Sequence, residues 1–504
     1  MSQVGLDKLI VAQNLTYENG TLQKEGGATK YNSAAMTGAP TILGGYDWWP
    51  TTSLQRMVTF ASDGTLKKDS GAGTFPVTLA SGLSIVNGPV TTVPVFVEGG
   101  QEALANNRKL FVFTGANQLK VLAADGATVA NVALPPADWS AQFPNCGCLH
   151  NNRMWGALGH RLYYSQFTNH EDFADVTNAG TLAVYPGEGE RIVAIASYKG
   201  ALIVAKYPRG MYVVNTTDPT VANWSVKRLS GPIGIAGSGC MINIGDDLLL
   251  LDPAGVFHLL SSTFEFGDMG LDTASRAARM DTFLADNCIL NRLQNAQGVF
   301  YPAKREVHFA VTKSGTINNG RLVVDLNQTG LLRWRFSDRD INESLWLRKD
   351  TNNIPRLMMG DASGFVYQLD QTARLKDGAG YSAKFQSPHL DMSHIDPTFA
   401  AKRKNGHFLE CVIEPKGNWS LLVDIIWDGR YHETVAFNMG ATGVGLGTFV
   451  LDTDVLGSDS ILNKKKRITG SGRRLSIAGR NGGVGEDFSI SEFILHCTLS
   501  DERL

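Results

Sequence analysis

The chain has 504 residues, of which 43% are hydrophobic and 19% are charged, and its formal net charge is −2. This length and apolar content allow a large core and about two to four domains. A charge so close to zero excludes a global positive field that would draw nucleic acid onto the surface. A protein of this kind that meets DNA is therefore expected to guide it rather than to grip it.

The composition favours many short strands joined by tight turns. Glycine is frequent, with 54 residues, and Thr, Ser, Asn and Asp interrupt nearly every apolar run. No apolar stretch that could act as a signal peptide stands at the start of the chain. The most apolar short run, at 248–251, ends at Asp252 and Pro253. No run approaches the roughly 18 apolar residues of a membrane helix, so we expect no membrane-spanning segment and synthesis in a cytoplasm.

The six cysteines are scattered, and only Cys146 and Cys148 are close in sequence. A zinc site of the usual type needs a second pair of ligands at a suitable spacing, which is missing here. We therefore expect reduced, mostly buried thiols and neither a metal nor a cofactor.

Six segments in chain order share one pattern, in which an apolar strand, a turn with Gly, Asp or Asn, and a second strand follow one another. They are 41–68, 109–126, 153–165, 192–214, 240–259 and the more diffuse 307–370. A period of about 40–50 residues is typical of propeller blades, which bury their faces by packing radially against one another. The pattern predicts an all-β protein with a β-propeller of about six irregular blades.

One short helix is expected within this series. Asp272 is a suitable N-cap for a helix over 273–286. Ala277, Met280 and Leu284 would then lie on one face at helical spacing. We expect this face to pack against the edge of a blade.

The chain changes character after residue 370. Residues 371–381 are polar and contain two glycines, and we expect them to be a linker. Residues 382–504 are again strand-like and predict an appended C-terminal β-sandwich domain. Its expected strands are 408–414, 419–427, 433–438, 473–478 and 488–498, with a glycine-rich connection at 440–447. Residues 1–39 are expected to form an extended N-terminal arm, and 40–370 the propeller.

Four stretches, taken in order, resemble the tail nozzle family of short-tailed bacteriophages, which is also called the packaged-DNA stabilisation or tail tubular family. The first stretch combines Asn14-Leu15 with Gly20-Thr21-Leu22-Gln23-Lys24-Glu25-Gly26-Gly27, and the second combines Arg161-Leu162-Tyr163-Tyr164-Ser165 with His170-Glu171-Asp172-Phe173. The third runs from Gly360 through Asp370 into Asp377-Gly378, and the last combines Arg473-Arg474-Leu475-Ser476-Ile477 with Phe488-Ser489-Ile490-Ser491 and Arg503. Together they span most of the chain.

This resemblance implies a ring of six subunits that continues the channel of the portal and adaptor proteins. It implies that the ring retains packaged double-stranded DNA and conducts it at ejection. It also implies contacts with the portal adaptor and with tail fibre or spike proteins, a location in the virion tail, and a structural role without catalysis.

The motifs that could carry chemistry are explained better by turns. Ser62-Asp63-Gly64-Thr65 resembles part of the Asp box of sialidase-like propellers but lacks its spacing and its tryptophan. The spacing of ten between His150, His160 and His170 suits neither a strand nor a helix metal site. Gly470-Ser471-Gly472 is followed by a predicted strand, whereas a phosphate-binding loop requires Lys-Ser/Thr and a helix. No carboxylate pair suggests glycoside hydrolysis.

Two basic runs and one arginine pair remain as candidate contact residues. They are Lys402, Arg403 and Lys404, then Lys464, Lys465, Lys466 and Arg467, then Arg473 and Arg474. Three interpretations stay open: a solvated loop, contact with an acidic surface of a neighbouring subunit or adaptor, and sequence-blind contact with DNA phosphates. Tyr46, Trp48 and Trp49 could anchor a protein interface or fill the core of a blade.

Two alternative functional classes remain open beside the nozzle. The first is a propeller enzyme that acts on cell-surface glycan, and the second is a monomeric propeller that binds a receptor or scaffold. Particle mass separates these classes, because only the nozzle requires a ring.

Overall fold

The structure is a computed structural model that describes residues 9–18, 20–71, 73–85, 93–100, 107–260, 262–263, 268–269, 272–273, 278–327, 333–338, 343–440 and 461–500. The fold is nearly all-β, with 51% of residues in strands and 6% in helices. The chain forms two compact units. The propeller unit comprises Lys30–Trp334 and Asp340–Gln368, and the sandwich unit comprises Met1–Thr29, Arg335–Arg339 and Leu369–Leu504.

The N-terminal segment forms strands, where the sequence predicted an extended arm over 1–39. The strands are β1 (Val11–Gln13), β2 (Leu15–Glu18), β3 (Thr21–Lys24) and β4 (Gly27–Lys30). The first three belong to the sandwich unit, and Leu15 on β2 is buried in its core. The alternation of apolar and polar residues over so few positions was too short to predict strands from sequence.

The first four blades of the propeller each contain four consecutive strands, paired in chain order. Their strands are β5 (Ile42–Thr51), β6 (Leu54–Ala61), β7 (Leu66–Lys68) and β8 (Val77–Ala80); β9 (Val95–Gly100), β10 (Arg108–Phe113), β11 (Lys120–Leu122) and β12 (Val129–Asn131); β13 (Cys146–His150), β14 (Arg153–Leu158), β15 (Arg161–Tyr164) and β16 (Gly180–Ala183); β17 (Arg191–Tyr198), β18 (Ala201–Tyr207), β19 (Met211–Asn215) and β20 (Ser225–Ser230).

Three further blades follow. The fifth joins β21, β22, β23 and β26 and carries the small hairpin β24–β25, the sixth joins β27 to β30, and the seventh joins β31, β32, β33 and the N-terminal β4. Their strands are β21 (Met241–Asn243), β22 (Leu248–Leu251), β23 (Phe257–Leu259), β24 (Ser262–Thr263), β25 (Asp268–Met269), β26 (Asp272–Thr273), β27 (Gln297–Tyr301), β28 (Glu306–Val311), β29 (Gly320–Asp325), β30 (Arg333–Ser337), β31 (Ser344–Lys349), β32 (Pro355–Gly360) and β33 (Val366–Gln371).

The structure therefore confirms the propeller and has seven blades among the residues it describes, where the sequence predicted about six. The additional blade arises because the diffuse segment 307–370 contains strands of two sheets. β28 and β29 belong to the sixth blade, whereas β33 belongs to the seventh.

The seventh blade packs directly against the first and closes the circle. The Ser344 hydroxyl donates to the Ile42 carbonyl over 2.7 Å, and the Lys349 N–H donates to the Asp47 carboxylate over 2.8 Å. The Trp346 ring covers Gly45, where an added Cβ would stand 2.4 Å from an indole carbon. A glycine is needed at this position because the ring occupies the space of a side chain.

The propeller core lies between neighbouring blades, as radial packing requires. Between the second and third blades, for example, Phe111 and Phe113 meet Trp139 and Tyr163 in one buried cluster. These aromatic side chains fill the gap between the faces of adjacent sheets. Their burial supplies the hydrophobic stabilisation that a single four-stranded sheet lacks.

The predicted helix is present but begins later than expected. Helix α1 covers Ala278–Asn287, and Leu284 is buried as predicted. Asp272–Thr273 forms β26 and pairs with β23, so Asp272 does not cap the helix. The side chains of Ala277 and Met280 lie outside the described residues. Short 3₁₀ helices cover Ala137–Ser140, Val221–Asn223, Ser238–Cys240, Leu290–Asn295 and Pro397–Ala400.

The sandwich unit contains two packed sheets, which confirms the predicted β-sandwich. One sheet runs β30-β1-β34-β40-β36-β37, in which Phe336 of β30 pairs in parallel with Gln13 of β1. The other runs β2-β3-β41-β35-β38, with β39 also paired to β35. Its remaining strands are β34 (Ala383–Gln386), β35 (Arg403–Ile413), β36 (Ser420–Trp427), β37 (Arg430–Asn438), β38 (Leu462–Arg467), β39 (Ser471–Gly472), β40 (Leu475–Asn481) and β41 (Ser489–Ser500). Most of the predicted connection at 440–447 lies outside the described residues, as does Arg503.

The segment 371–381, predicted to be a linker, is fixed by the N-terminal chain. Ala28 donates its N–H to the Leu375 carbonyl over 2.8 Å and accepts the Asp377 N–H over 2.8 Å. An added Cβ at Gly27 would stand 1.9 Å from the Ala373 carbonyl oxygen. The Gly26-Gly27 pair therefore permits two backbone segments to approach closely.

Candidate interaction surface

The predicted basic residues come together around one strand of the sandwich unit. Arg403 and Lys404 begin β35, and Lys402 precedes it. The run Lys464 to Arg467 makes up most of β38, which pairs with the second half of β35. Arg473 and Arg474 follow β39, which pairs with the start of β35. The antiparallel pairing of β35 thus joins three segments that are distant in sequence.

Lys404 is a correction to this candidate set, because its side chain is fully buried. Its ammonium group donates to the carbonyls of Phe399 and Arg473, each over 2.6 Å, and to that of Lys402 over 3.2 Å. Burial lowers the pKa of Lys404, whereas the nearby Asp391 carboxylate favours its charged form. Lys404 ties together a turn and a strand end and is not available to a partner.

The arginine pair is positioned through its backbone. Asp428 accepts the N–H of Arg473 over 2.9 Å and that of Arg474 over 2.8 Å, which leaves both side chains exposed. Arg403 is also exposed, and its Nε donates to the Ser471 hydroxyl over 2.9 Å. Gly470 has a φ of +87° and precedes the short strand β39. The interpretation of Gly470-Ser471-Gly472 as a hairpin turn was wrong, because Ser471 and Gly472 form strand β39 and pair with β35. The expectation that a strand follows is met by β40, which begins at Leu475.

Lys465 has partners on the outer face of its sheet. Its ammonium group lies 3.0 Å from the Glu410 carboxylate and 4.9 Å from the centre of the Phe408 ring. The hydrogen bond from Lys465 lowers the pKa of Glu410, and His496 adds to this effect. Exposed pairs of this kind contribute little to stability. Lys464, Lys466 and Arg467 make no hydrogen bond or ion pair with any residue that the structure describes.

Two of the three histidines at a spacing of ten, His150 and His170, have separate structural roles. The ring nitrogens of His150 lie 2.7 Å from the hydroxyls of Ser197 and Thr216, and burial lowers the pKa of His150 to about 4. His170 accepts the Gly100 N–H over 2.7 Å. Within the described ranges, no group of three or more His, Cys, Asp or Glu side chains could hold a metal ion.

The Asp63 motif is a turn, as predicted. Asp63 accepts hydrogen bonds from the Thr65 N–H over 3.0 Å and from its hydroxyl over 2.6 Å, and Gly64 has a φ of +76°. The same local chemistry recurs in the seventh blade, where Asp361 accepts the N–H groups of Ser363 and Phe365 over 2.8 Å. These carboxylates are engaged by their own turns.

The aromatic residues of β5 fill the blade instead of forming an open anchor. Trp48 is fully buried and donates its indole N–H to the Arg108 carbonyl over 3.1 Å. Tyr46 stacks on Phe96 with ring centres 5.9 Å apart. Trp49 donates to the Asp47 carboxylate over 3.2 Å. Of the two interpretations left open by the sequence, the structure favours the blade core.

Sequence reasoning missed three carboxylates, of which Asp47 and Glu98 are half-buried and Glu343 is buried. Burial raises the pKa values of Asp47 and Glu98, although backbone N–H groups donate to both. Burial also raises the pKa of Glu343 to about 7, and its main hydrogen bond comes from the Asn318 N–H over 2.6 Å. The only sequence signal for Asp47 is its position beside three aromatic residues on one strand.

The second stretch that carries the nozzle resemblance fixes the interface between blades two and three. Tyr163 donates to Asp138 over 2.7 Å, Glu171 forms an ion pair with Lys109, and Phe173 packs on Trp139 with ring centres 4.8 Å apart. These residues are scaffold elements of the propeller.

Several solved structures resemble this chain over nearly their own whole length, at low sequence identity. No family model and no curated protein matches the chain. Similar solved structures include the computationally designed Ika8 protein, with 12% identity, 68% of this chain and 99% of that chain covered, and a TM-score of 0.38. BamB from Moraxella catarrhalis is 12% identical, with 74% of this chain and 98% of that chain covered and a TM-score of 0.36. BBS1N in complex with ARL6DN is 11% identical, with 72% of this chain and 99% of that chain covered and a TM-score of 0.41.

The seven blades follow from the strand pairing of this chain among the residues that the structure describes. Among the described residues, no helix is long and apolar enough to cross a membrane.

Proposed function

We propose that this chain is a structural subunit of the tail of a short-tailed bacteriophage and that it forms a ring-shaped nozzle. The observation that carries the proposal is the order of the four resembling stretches, which span most of the chain. The ring has six subunits, continues the portal and adaptor channel, retains packaged DNA and conducts it at ejection. It contacts the adaptor and tail fibre or spike proteins.

The positions of the resembling stretches support a structural role. Residues 20–27 include β3 and the glycine pair that packs against 371–381, and residues 360–370 form the turn and strand β33 of the seventh blade. Residues 170–173 fix the interface of the second and third blades. The likeness therefore concerns the scaffold and not a set of exposed reactive groups.

The charge distribution suits a conduit for DNA. Phosphate contacts strengthen binding and make it sensitive to salt, so a channel that must release DNA should have few of them. The net charge is −2, and Lys404 and Lys465 already have partners within the chain. Subunit interfaces would hold the channel, and loops at its mouth would gate the DNA without catalysis or a cofactor.

Particle mass tests this proposal. Native mass spectrometry of the purified chain, alone and with the adaptor protein, should detect an assembly of six times the 54.5 kDa of one chain. Incubation with host polysaccharide should release no sugar. A strictly monomeric particle that releases sugar would contradict the nozzle and favour a glycan-degrading enzyme.

A further inference from the structure

Strand β38 presents an open edge of the sandwich unit. It is the last strand of its sheet and pairs with β35, and among the described residues no strand pairs with its other side. Such an edge offers N–H and C=O groups to an additional strand. Asn463, Lys465, Lys466 and Arg467 are exposed along it. Within the described ranges, these exposed side chains leave most of β38 accessible to a partner.

The basic side chains of β38 project on both faces of the sheet. Lys465 and Arg467 pair in register with Glu410 and Phe408 on the outer face. Lys464 and Lys466 pair with the core residues Cys411 and Leu409, so they project from the opposite face at the border of the sheet. A complementary strand needs acidic residues at consecutive positions, because alternating ones would match a single face.

This charge pattern selects among strands that could add to the edge. A second copy of β38 would bring four cations against four cations, and like charges directly opposite destabilise a strand pair. We infer that β38 is a docking edge for an extended, acidic segment of another protein, which adds as a strand and places consecutive Asp or Glu residues beside Lys464 to Arg467. This inference does not rest on the ring or on the passage of DNA.

A DNA duplex fits the same surface less well. Phosphates can approach one face of the sheet, whereas the cations are divided between two faces. The outer face also carries Glu410 and Glu492, of which Glu492 is exposed and lies opposite Val412, a neighbour of Asn463 on β38. These carboxylates would repel phosphates, whereas a peptide strand can place neutral residues beside them.

Binding of defined probes tests the inference with the full chain. The first probe is a fluorescein-labelled peptide, Val-Thr-Glu-Glu-Glu-Glu-Thr-Val. The second is the same peptide with alternate backbone nitrogens methylated, which keeps its charge but removes the donors of one edge. The third is a short labelled DNA duplex. By fluorescence anisotropy at one ionic strength, the first peptide should bind about tenfold or more tightly than its methylated form and more tightly than the duplex.

Charge reversal locates the site. Lys464→Glu with Lys466→Glu should weaken binding of the first peptide by about tenfold or more. Lys199→Glu with Lys227→Glu, two exposed lysines of the fourth blade, makes the same charge change elsewhere and should leave the affinity unchanged. If the reversed variant does not fold, Lys464→Gln with Lys466→Gln replaces it, and the methylated peptide needs no variant.

Four outcomes would overturn the inference. Failure of the first peptide to bind excludes the site, and equal binding of the methylated peptide shows charge attraction without strand addition. Tighter binding of the duplex, lost in the reversed variant, assigns the edge to phosphates. If the protein alone forms a dimer that the charge substitutions abolish, the β38 edge is a site for a second copy of this chain.

Discussion

Two lysines of the basic cluster, Lys404 and Lys466, have opposite environments. Lys404 is fully buried and donates to three carbonyls, whereas Lys466 is exposed on an edge strand. The sequence places both in short basic runs and predicts the same three interpretations for them. Only the pairing of β35 with β38 and β39 separates a structural cation from an available one, and this pairing joins residues that are distant in sequence.

Lys404→Met should lower the free energy of unfolding by about 2–3 kcal/mol, because it leaves buried carbonyls without a donor. Lys466→Met removes the same charge from an exposed position and should change stability by less than about 0.5 kcal/mol. Urea unfolding followed by tryptophan fluorescence measures both variants. Equal stability of the two variants would contradict the structural role of Lys404.

The raised pKa of Glu343 predicts that the stability of the protein depends on pH. Its folded-state pKa is raised to about 7 from 4.5, so the unfolded chain ionises first and stability is lost as the pH rises from about 4.5 to 7. Glu343→Gln should raise the melting temperature at pH 8 and change it little at pH 4.5. Glu492→Gln, at an exposed position, is the control. The same shift at both pH values would show that ionisation of Glu343 is not the cause.

At the scale of elements, local patterns predicted strands well and their partners poorly. Turns such as the one at Asp63 and Gly64 are set by neighbouring residues, and they appear where the sequence places them. β4 completes the seventh blade from the opposite end of the chain, and no local signal in Gly27–Lys30 indicates this pairing. The seventh blade was missed because β31 and β32 were not recognised within the diffuse segment 307–370.

Strand β2 offers a matched pair of variants that tests the place of the N-terminal segment. Leu15 is 2% exposed in the sandwich core, and Tyr17 on the same strand is 49% exposed. Leu15→Ala should lower the free energy of unfolding by about 2–4 kcal/mol, because it leaves a cavity. Tyr17→Ala should have a much smaller effect in the same urea titration. An unchanged free energy of unfolding in Leu15→Ala would contradict the burial of β2 and favour the extended arm that the sequence predicted.

The contact between the seventh and first blades predicts a cost for a small substitution. Gly45→Ala would place a methyl group against the Trp346 ring and should destabilise the propeller by about 1–3 kcal/mol. Gly231→Ala is the control, since an added Cβ there stands 3.8 Å from its nearest neighbour. Thermal unfolding measures both. A Gly45→Ala melting temperature equal to that of the control would contradict the tight closure of the ring of blades.

At the scale of the whole molecule, the division into a propeller and a sandwich was predictable because composition and turn density change near residue 370. The contributions of 1–29 and 335–339 to the sandwich unit were not, since they depend on contacts between distant parts of the chain. The contact role of the candidate residues stays a prediction, and the structure separates the exposed Lys466 and Arg467 from the buried Lys404.

The nozzle proposal concerns how this molecule assembles, and electron microscopy of virions carrying a labelled copy of the chain tests it most directly. Class averages should place the label in a six-fold ring on the tail axis, next to the adaptor. The nozzle proposal would be contradicted if the label lay on fibres away from the tail axis, or if virions without the labelled chain ejected DNA normally.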